Sequence, residues 1–241
     1  MEKPTHTLVA TPQMSPDRLA DYMAASEQAR RRIVQSCKYR STARVVQHHE
    51  ARTAIRAAYA NGAPDFKALK ERGKLIATKL ADTDFDAEVN DHNAFYVDHF
   101  ATHGHELVLP VAEISSGKNY PAFEVNGVRI TFRLDLRLQR TTKTNKVRTG
   151  GVMLRYQKKR VLAPEVAGFQ SAFAFGRLCE LTDSLAGEPE KKLCVTVDGW
   201  AMTAYEAPTN SVYLYNEIRA ACQGIAERWP AIKPPPNAIL A

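Results

Sequence analysis

From Val128 to Gln139 apolar and polar residues alternate one for one. Val128, Ile130, Phe132, Leu134, Leu136 and Leu138 face one way; Arg129, Thr131, Arg133, Asp135, Arg137 and Gln139 face the other. This period of two predicts a long strand with one buried and one wet face. Val152, Leu154 and Tyr156 alternate with Met153, Arg155, Gln157 and Lys159 and predict a second strand over 152–159. The segment between them, Arg140 to Gly151, is polar, basic and closed by a Gly pair, the composition of a loop.

Upstream, the periodicity is helical. Residues 1–14 carry no strong pattern and are expected to form a flexible leader. Ser15-Pro16 opens a helix, Ser26 caps a second that contains Arg30-Arg31-Arg32, and 43–60 forms a third with Ala51, Ala54, Ile55, Ala58 and Tyr59 on one side. Asn61-Gly62 stops that helix, Asp65 caps the next, and 84–103 continues as helix. Leu107 to Ile114, interrupted by Pro110, reads as an edge strand. A short strand over 122–125 and Asn126-Gly127 then lead into the basic pair, so the strands are expected to form an antiparallel meander. Pro164 starts a broadly apolar helix running to about Ala186, which should pack across the sheet. Asp198-Gly199 marks a hairpin between 193–198 and 200–206. A final helix, capped by Thr209 or Asn210, carries the stripe Tyr215, Ile218, Cys222, Ile225 and Trp229, and Pro234-Pro-Pro236 begins a stiff tail. The order gives an α+β (or α/β) fold: a helical N-terminal half, 1–105, then an antiparallel or mixed sheet flanked by helices, 106–241.

Charge sharpens this picture. Residues 128–160 hold eleven basic residues and one acid, a net +10, while the whole 241-residue chain is +7, so the remainder sums to −3. The strands and loop thus present Arg129, Arg133, Arg137, Arg140, Lys143, Lys146, Arg148, Arg155, Lys158 and Arg160 as a basic face, the footprint of a polyanion such as DNA or RNA. A plain solvated face is the alternative, although natural surfaces intersperse signs. Apolar residues make up 44% and charged ones 24%, with no apolar run of membrane length and no secretory-type start, so a cytoplasmic protein without a membrane partner is expected. Cys37, Cys179, Cys194 and Cys222 form no Cys-x-x-Cys pair. His92, His99 and His103 share a helical face, with His105 just beyond, but no His-Glu-x-x-His accompanies them; hydrogen-bonded imidazoles are favoured over a metal site. The Arg30–Arg32 run is balanced between a solvated helix end and a phosphate contact.

One constellation has the form of a catalytic site. Asp135, Gln157 and Lys159 should point to the wet face of neighbouring strands, with Gln170 on the helix that follows. Carboxylates hold Mg²⁺, the ion polarises a scissile phosphate and lowers the pKa of its water, and the lysine stabilises charge. Arg133-Leu-Asp135-Leu, Gly151-Val-Met-Leu-Arg-Tyr-Gln157-Lys-Lys159 and Gly168-Phe-Gln170-Ser-Ala-Phe together resemble the PD-(D/E)xK nuclease superfamily, in its RecB-like and Cas4-like branch. The resemblance spans about 107–207 and implies an α-β-β-β-α-β core with Asp135, Gln157 and Lys159 at its catalytic positions. Gln157 stands where the family usually has an acid, so Glu113, or Glu88 on the preceding helix, would have to supply the second ligand beside Asp135. A salt bridge from Asp135 to Arg133 and Arg137 is a reading of equal weight. Two functions remain: a non-catalytic or degenerate nuclease-fold subunit that binds nucleic acid, with protein partners in a larger antiviral-defence or mobile-element complex, or a Mg²⁺-dependent nuclease.

Overall fold

The helices start where side chains can hold their first N–H groups. Ser15, Ser26, Asp65 and Thr83 each accept from the backbone N–H three residues on. Among the described residues the helices are α1 (Pro16–Met23), α2 (Glu27–Lys38), α3 (His49–Tyr59), α4 (Phe66–Ala77), α5 (Asp84–His103), α6 (Pro164–Glu180) and α7 (Ser211–Arg228). The strands are β1 (His6–Leu8), β2 (Gln13–Met14), β3 (Tyr39–Ser41), β4 (Glu113–Ser116), β5 (Phe123–Val125), β6 (Val128–Ile130), β7 (Leu136–Thr141), β8 (Val147–Arg155), β9 (Glu188–Asp198) and β10 (Thr203–Glu206). The computed structural model describes residues 3–43, 48–60, 62–182 and 185–240. Asn61 of the expected helix stop lies outside them, whereas Gly62 holds the left-handed φ of +82°. The fold is α+β, and no helix among the described residues is long and apolar enough to cross a membrane.

The chain gathers into two compact units, each assembled from separated segments. The first comprises Met1–Val45, Tyr120–Phe132 and Val212–Ala241. Within it β1 pairs antiparallel with β3, and β2, β6 and β5 form a three-stranded sheet. The N-terminal segment, expected to be a flexible leader, is therefore tied down: Thr5 and His6 N–H groups donate to the Ile239 carbonyl. Asn126-Gly127 makes the expected hairpin turn, with φ of +45° and +80°. Trp229 closes the apolar stripe of α7, 2% exposed, and donates through Nε1 to the Val9 carbonyl at 3.2 Å.

The second unit comprises Val46–Asn119 and Arg133–Ser211, so residue 105 falls inside it. Its sheet runs β10-β9-β8-β7-β4. β4, β7 and β8 form an antiparallel meander, α6 crosses over, and β9 lies parallel to β8. β9 and β10 form the expected hairpin, but Asp198 pairs with Thr203, so the turn is the four residues 199–202 rather than Asp198-Gly199 and the second strand starts at Thr203 instead of Trp200. Leu136, Leu138, Val152, Leu154, Val195 and Val197 pack with Ile55, Tyr59, Tyr96 and Phe100 of α3 and α5. Such burial supplies roughly 1.5–3 kcal/mol per large apolar side chain, before conformational entropy is counted.

Four expectations about the basic strands change. The long alternating strand breaks after Ile130: β6 belongs to the first unit and β7 to the second. The second strand spans Val147–Arg155 rather than 152–159. The Gly150-Gly151 pair lies inside β8, at a register shift against β9, instead of closing a loop. A Cβ at Gly150 would meet the Leu193 carbonyl oxygen at 2.3 Å, so only glycine lets β9 approach. Nor does the hairpin have a wet face throughout. Thr149 to Arg155 are all buried, because the apolar α6 packs on the sheet opposite α3 and α5.

Candidate phosphate-binding end of the sheet

Asp135 was expected on a wet face; it is 2% exposed. It precedes β7, and its own backbone N–H donates to the Val152 carbonyl at 2.7 Å. Its Oδ2 accepts the Leu154 N–H at 2.8 Å. Its Oδ1 faces Arg52 Nε at 3.3 Å and Arg133 Nε at 3.9 Å, and its carbonyl accepts from Arg56 Nε at 2.9 Å. Burial pushes the Asp135 carboxyl above its ordinary pKa; Arg52, the Leu154 N–H and Arg56 oppose that shift. The expected salt bridge to Arg133 is present at long range, but Arg52 is the nearer partner.

Arg52 and Arg56 are the residues that pattern reading missed. They sit one turn apart on α3, each next to a residue of the apolar stripe Ala51, Ile55 and Tyr59. Two arginines bordering a buried stripe at i, i+4 are the available signal. Arg52 also donates to the Leu154 carbonyl at 3.0 Å, and its guanidinium lies 5.4 Å from the Tyr156 ring centre. Tyr156 stacks on His48 and meets Tyr96 edge-on. Burial raises the Tyr156 and Tyr96 hydroxyl pKa values far above the ordinary tyrosine range, so both remain neutral. Burial, His92 and Arg52 lower the pKa of His48.

The other expected catalytic residues do not join Asp135 on the strand. Gln157 and Lys159 lie beyond the end of β8, and Lys159 takes a left-handed φ of +61° in an exposed turn. Glu113 is exposed on β4 opposite Gln139, four residues along β7 from Asp135 and so about 14 Å away. Mg²⁺ wants several oxygens in a tight octahedral shell, and a guanidinium beside Oδ1 opposes it. These placements do not assemble an oxygen set around Asp135. Gln170 is buried in α6. The helical histidines are engaged: His99 Nε2 donates to the Trp200 carbonyl at 2.8 Å, and His103 pairs with Glu106 at 2.9 Å. Among the described residues no three His, Cys, Asp or Glu side chains form a metal-binding group.

The basic residues do not share one face either. Arg129 is exposed on β6 of the other unit. At the β7–β8 turn, Arg140 pairs with Glu190 and Arg148 with Glu188, acids that β9 brings alongside, while Lys143 and Lys146 are exposed. Arg137 is half-buried opposite Gly151, and Arg155 is buried opposite Asp198. Asp198 itself is held by backbone: its Oδ2 accepts the Leu162 N–H at 2.7 Å and its Oδ1 the Trp200 N–H at 2.8 Å.

Lys158, Lys159 and Arg160 follow the far end of β8, about 26 Å along the strand from Val147. All three are exposed, and none has an ion pair among the described residues. Lys158 Nζ stands 4.4 Å from the centre of the Phe95 ring. Phe95, His99 and Trp200 form a half-exposed group of near-parallel rings, with centroids 5.0–5.9 Å apart and interplanar angles of 10–20°. Three mutual distances so nearly equal make a triangle of offset tiles rather than a column. This end of the second unit thus combines exposed cations without ion pairs, Arg52 and Arg56 held by the carboxylate and the backbone carbonyl of Asp135, and flat aromatic surface. Compared with protein-family models and with curated proteins, the chain matches none.

Proposed function

We propose that the second unit binds single-stranded nucleic acid at the end of its sheet where β7 begins and β8 ends, and that it does so without cutting it. The observation that carries this reading is the juxtaposition of exposed Lys158, Lys159 and Arg160 with the Phe95, His99 and Trp200 tiles. Cations neutralise phosphates and release their counterions, while aromatic rings stack bases of any sequence at about 1–3 kcal/mol each. A double helix keeps its bases stacked on one another, so the tiles serve a single strand better.

Asp135 has a supporting part here. Its buried carboxylate lies against Arg52 and its backbone carbonyl accepts from Arg56, which fixes two guanidiniums at the start of β7. This reading takes the chain as a degenerate member of the superfamily that the sequence resembles; the second unit's elements run α5, β4, β7, β8, α6 and β9, with β5 and β6 of the first unit coming between β4 and β7 in the chain. Arg52 stands against the Asp135 oxygen that a metal ion would need, which favours binding over cleavage.

The test is binding and cleavage of labelled single- and double-stranded DNA and RNA, with Mg²⁺ or Mn²⁺ present for cleavage. Salt-sensitive binding, tighter to single strands, without product is expected. Cleavage lost on Asp135→Ala and Lys159→Ala would replace the reading with a metal-dependent nuclease.

A further inference from the structure

The first unit contains a cleft of about 550 Å³ that the proposed nucleic-acid site does not use. Arg18 of α1, Arg32 of α2 and Arg40 of β3 line it, and no Asp or Glu does. All three arginines are exposed, and none has an ion pair or a side-chain hydrogen bond among the described residues. Their neighbours are arranged differently: Arg31 and Arg228 both pair with Glu27, and Arg30 donates to the Tyr22 and Met23 carbonyls. Of the arginine run of α2 only Arg32 lines the acid-free cleft, and it borders the neighbouring cleft of Glu27, Arg30, Arg31 and Arg228 as well.

Hydroxyl groups add donors to the same wall. Ser15 Oγ accepts the Arg18 N–H at 3.3 Å, and Ser41 Oγ accepts the Ala43 N–H at 3.1 Å. An oxygen that already accepts from the backbone has its own proton left to give. Both residues line the cleft. Arg18 and Arg40 also act electrostatically on the buried Cys37 thiol, which places their charges near one point of the wall.

We propose that this cleft binds a small phosphorylated molecule of nucleotide size, with its phosphate or pyrophosphate group held by Arg18, Arg32 and Arg40. Guanidinium forks match phosphate oxygens in pairs, and each such charge-assisted bond is about twice as strong as a neutral one. Three like charges around one acid-free space repel each other, and a di- or trianion relieves that repulsion; one tetrahedral phosphate also offers oxygens to several guanidiniums at once, where citrate spreads its charge over three separate carboxylates. The volume lies within the roughly 300–1,000 Å³ of small-molecule sites. A long polyanion draped on the surface would not need such a recess.

Isothermal titration of the full chain with inorganic phosphate, pyrophosphate, ADP, citrate and a 5′-phosphorylated oligonucleotide tests this. ADP or pyrophosphate should bind with a dissociation constant below about 1 mM, more tightly than citrate. Arg18→Gln and Arg40→Gln should each weaken binding by about tenfold or more, with the melting temperature unchanged because both side chains are exposed. Binding undiminished in the Arg18→Gln/Arg40→Gln double variant would overturn the proposal. So would citrate binding as tightly as pyrophosphate, the oligonucleotide alone binding, or none of the probes binding.

Discussion

Replacing Asp135 by alanine should destabilise the second unit by about 3–5 kcal/mol, the cost of removing one partner from a buried ion pair. An exposed salt bridge, as the strand pattern suggested, would cost at most about 1 kcal/mol. The structure shows where the larger figure comes from. The substitution strands the Leu154 N–H, now bonded to Oδ2 at 2.8 Å, and removes the carboxylate from Arg52, whose side chain is only 21% exposed. Leaving that N–H unsatisfied costs about 1–3 kcal/mol, and the guanidinium left without its counter-charge supplies the rest. Asp135→Asn should cost less, about 1–2 kcal/mol, because the amide oxygen still accepts the N–H and burial already penalises the charged form.

The same burial fixes the sign of the acid response. The native pKa of Asp135 lies above its unfolded value, so in that window the native state binds more protons, and Asp135 favours folding as the pH falls. Urea unfolding in a Trp229→Phe background, where Trp200 is the remaining tryptophan, reports the unit directly. An alanine variant within about 0.5 kcal/mol of its parent would refute the buried-anchor account.

Three further outcomes follow from packing and charge. Trp229→Ala should cost about 3–5 kcal/mol, measured by urea unfolding on near-ultraviolet circular dichroism; no change in midpoint would show that the indole does not fill the first unit's core. Gly150→Ala should cost about 1–3 kcal/mol, because its Cβ would press on the Leu193 carbonyl and push β9 from β8; calorimetry should show a lower melting temperature. His48 has a native pKa below its unfolded value near 6.5, so the unfolded state takes the proton first, and stability is lost as the pH falls through and below that value. His48→Asn should flatten the unfolding free energy between about pH 7 and 5, and an unchanged slope would contradict it.

Local signals carried most of the element list. Ser15, Ser26, Asp65 and Asn126-Gly127 act where the sequence places them, because caps and tight turns are decided by a few adjacent residues; at Asp198-Gly199 the hairpin forms, but Asp198 pairs with Thr203 and the turn widens to residues 199–202. The wet face failed for a non-local reason. The apolar character of α6 already implied that it packs across the sheet, and a sheet covered on both sides has little room for solvated polar residues. Asp135 and Arg155 look exposed by alternation and become buried through tertiary partners on α3 and β9. The break between β6 and β7 was hidden because Phe132 and Leu134 continue the alternation while the chain passes from one unit to the other. The basic run was legible as composition; that Glu188 and Glu190 would neutralise its turn end depended on β9 pairing alongside β8.

The central claim places nucleic acid at the far end of β8 rather than at its turn, and salt dependence separates the two. Affinity for a labelled single-stranded oligonucleotide should be measured from about 50 to 200 mM salt for the wild type, the Lys158/Lys159/Arg160→Ala variant and the Lys143/Lys146→Ala variant. With about 0.7 lost per phosphate contact on a single strand, the first variant should lower the log–log slope by about 2 and the second should leave it nearly unchanged. A slope that falls only in the Lys143/Lys146 variant, or in neither, would contradict the account.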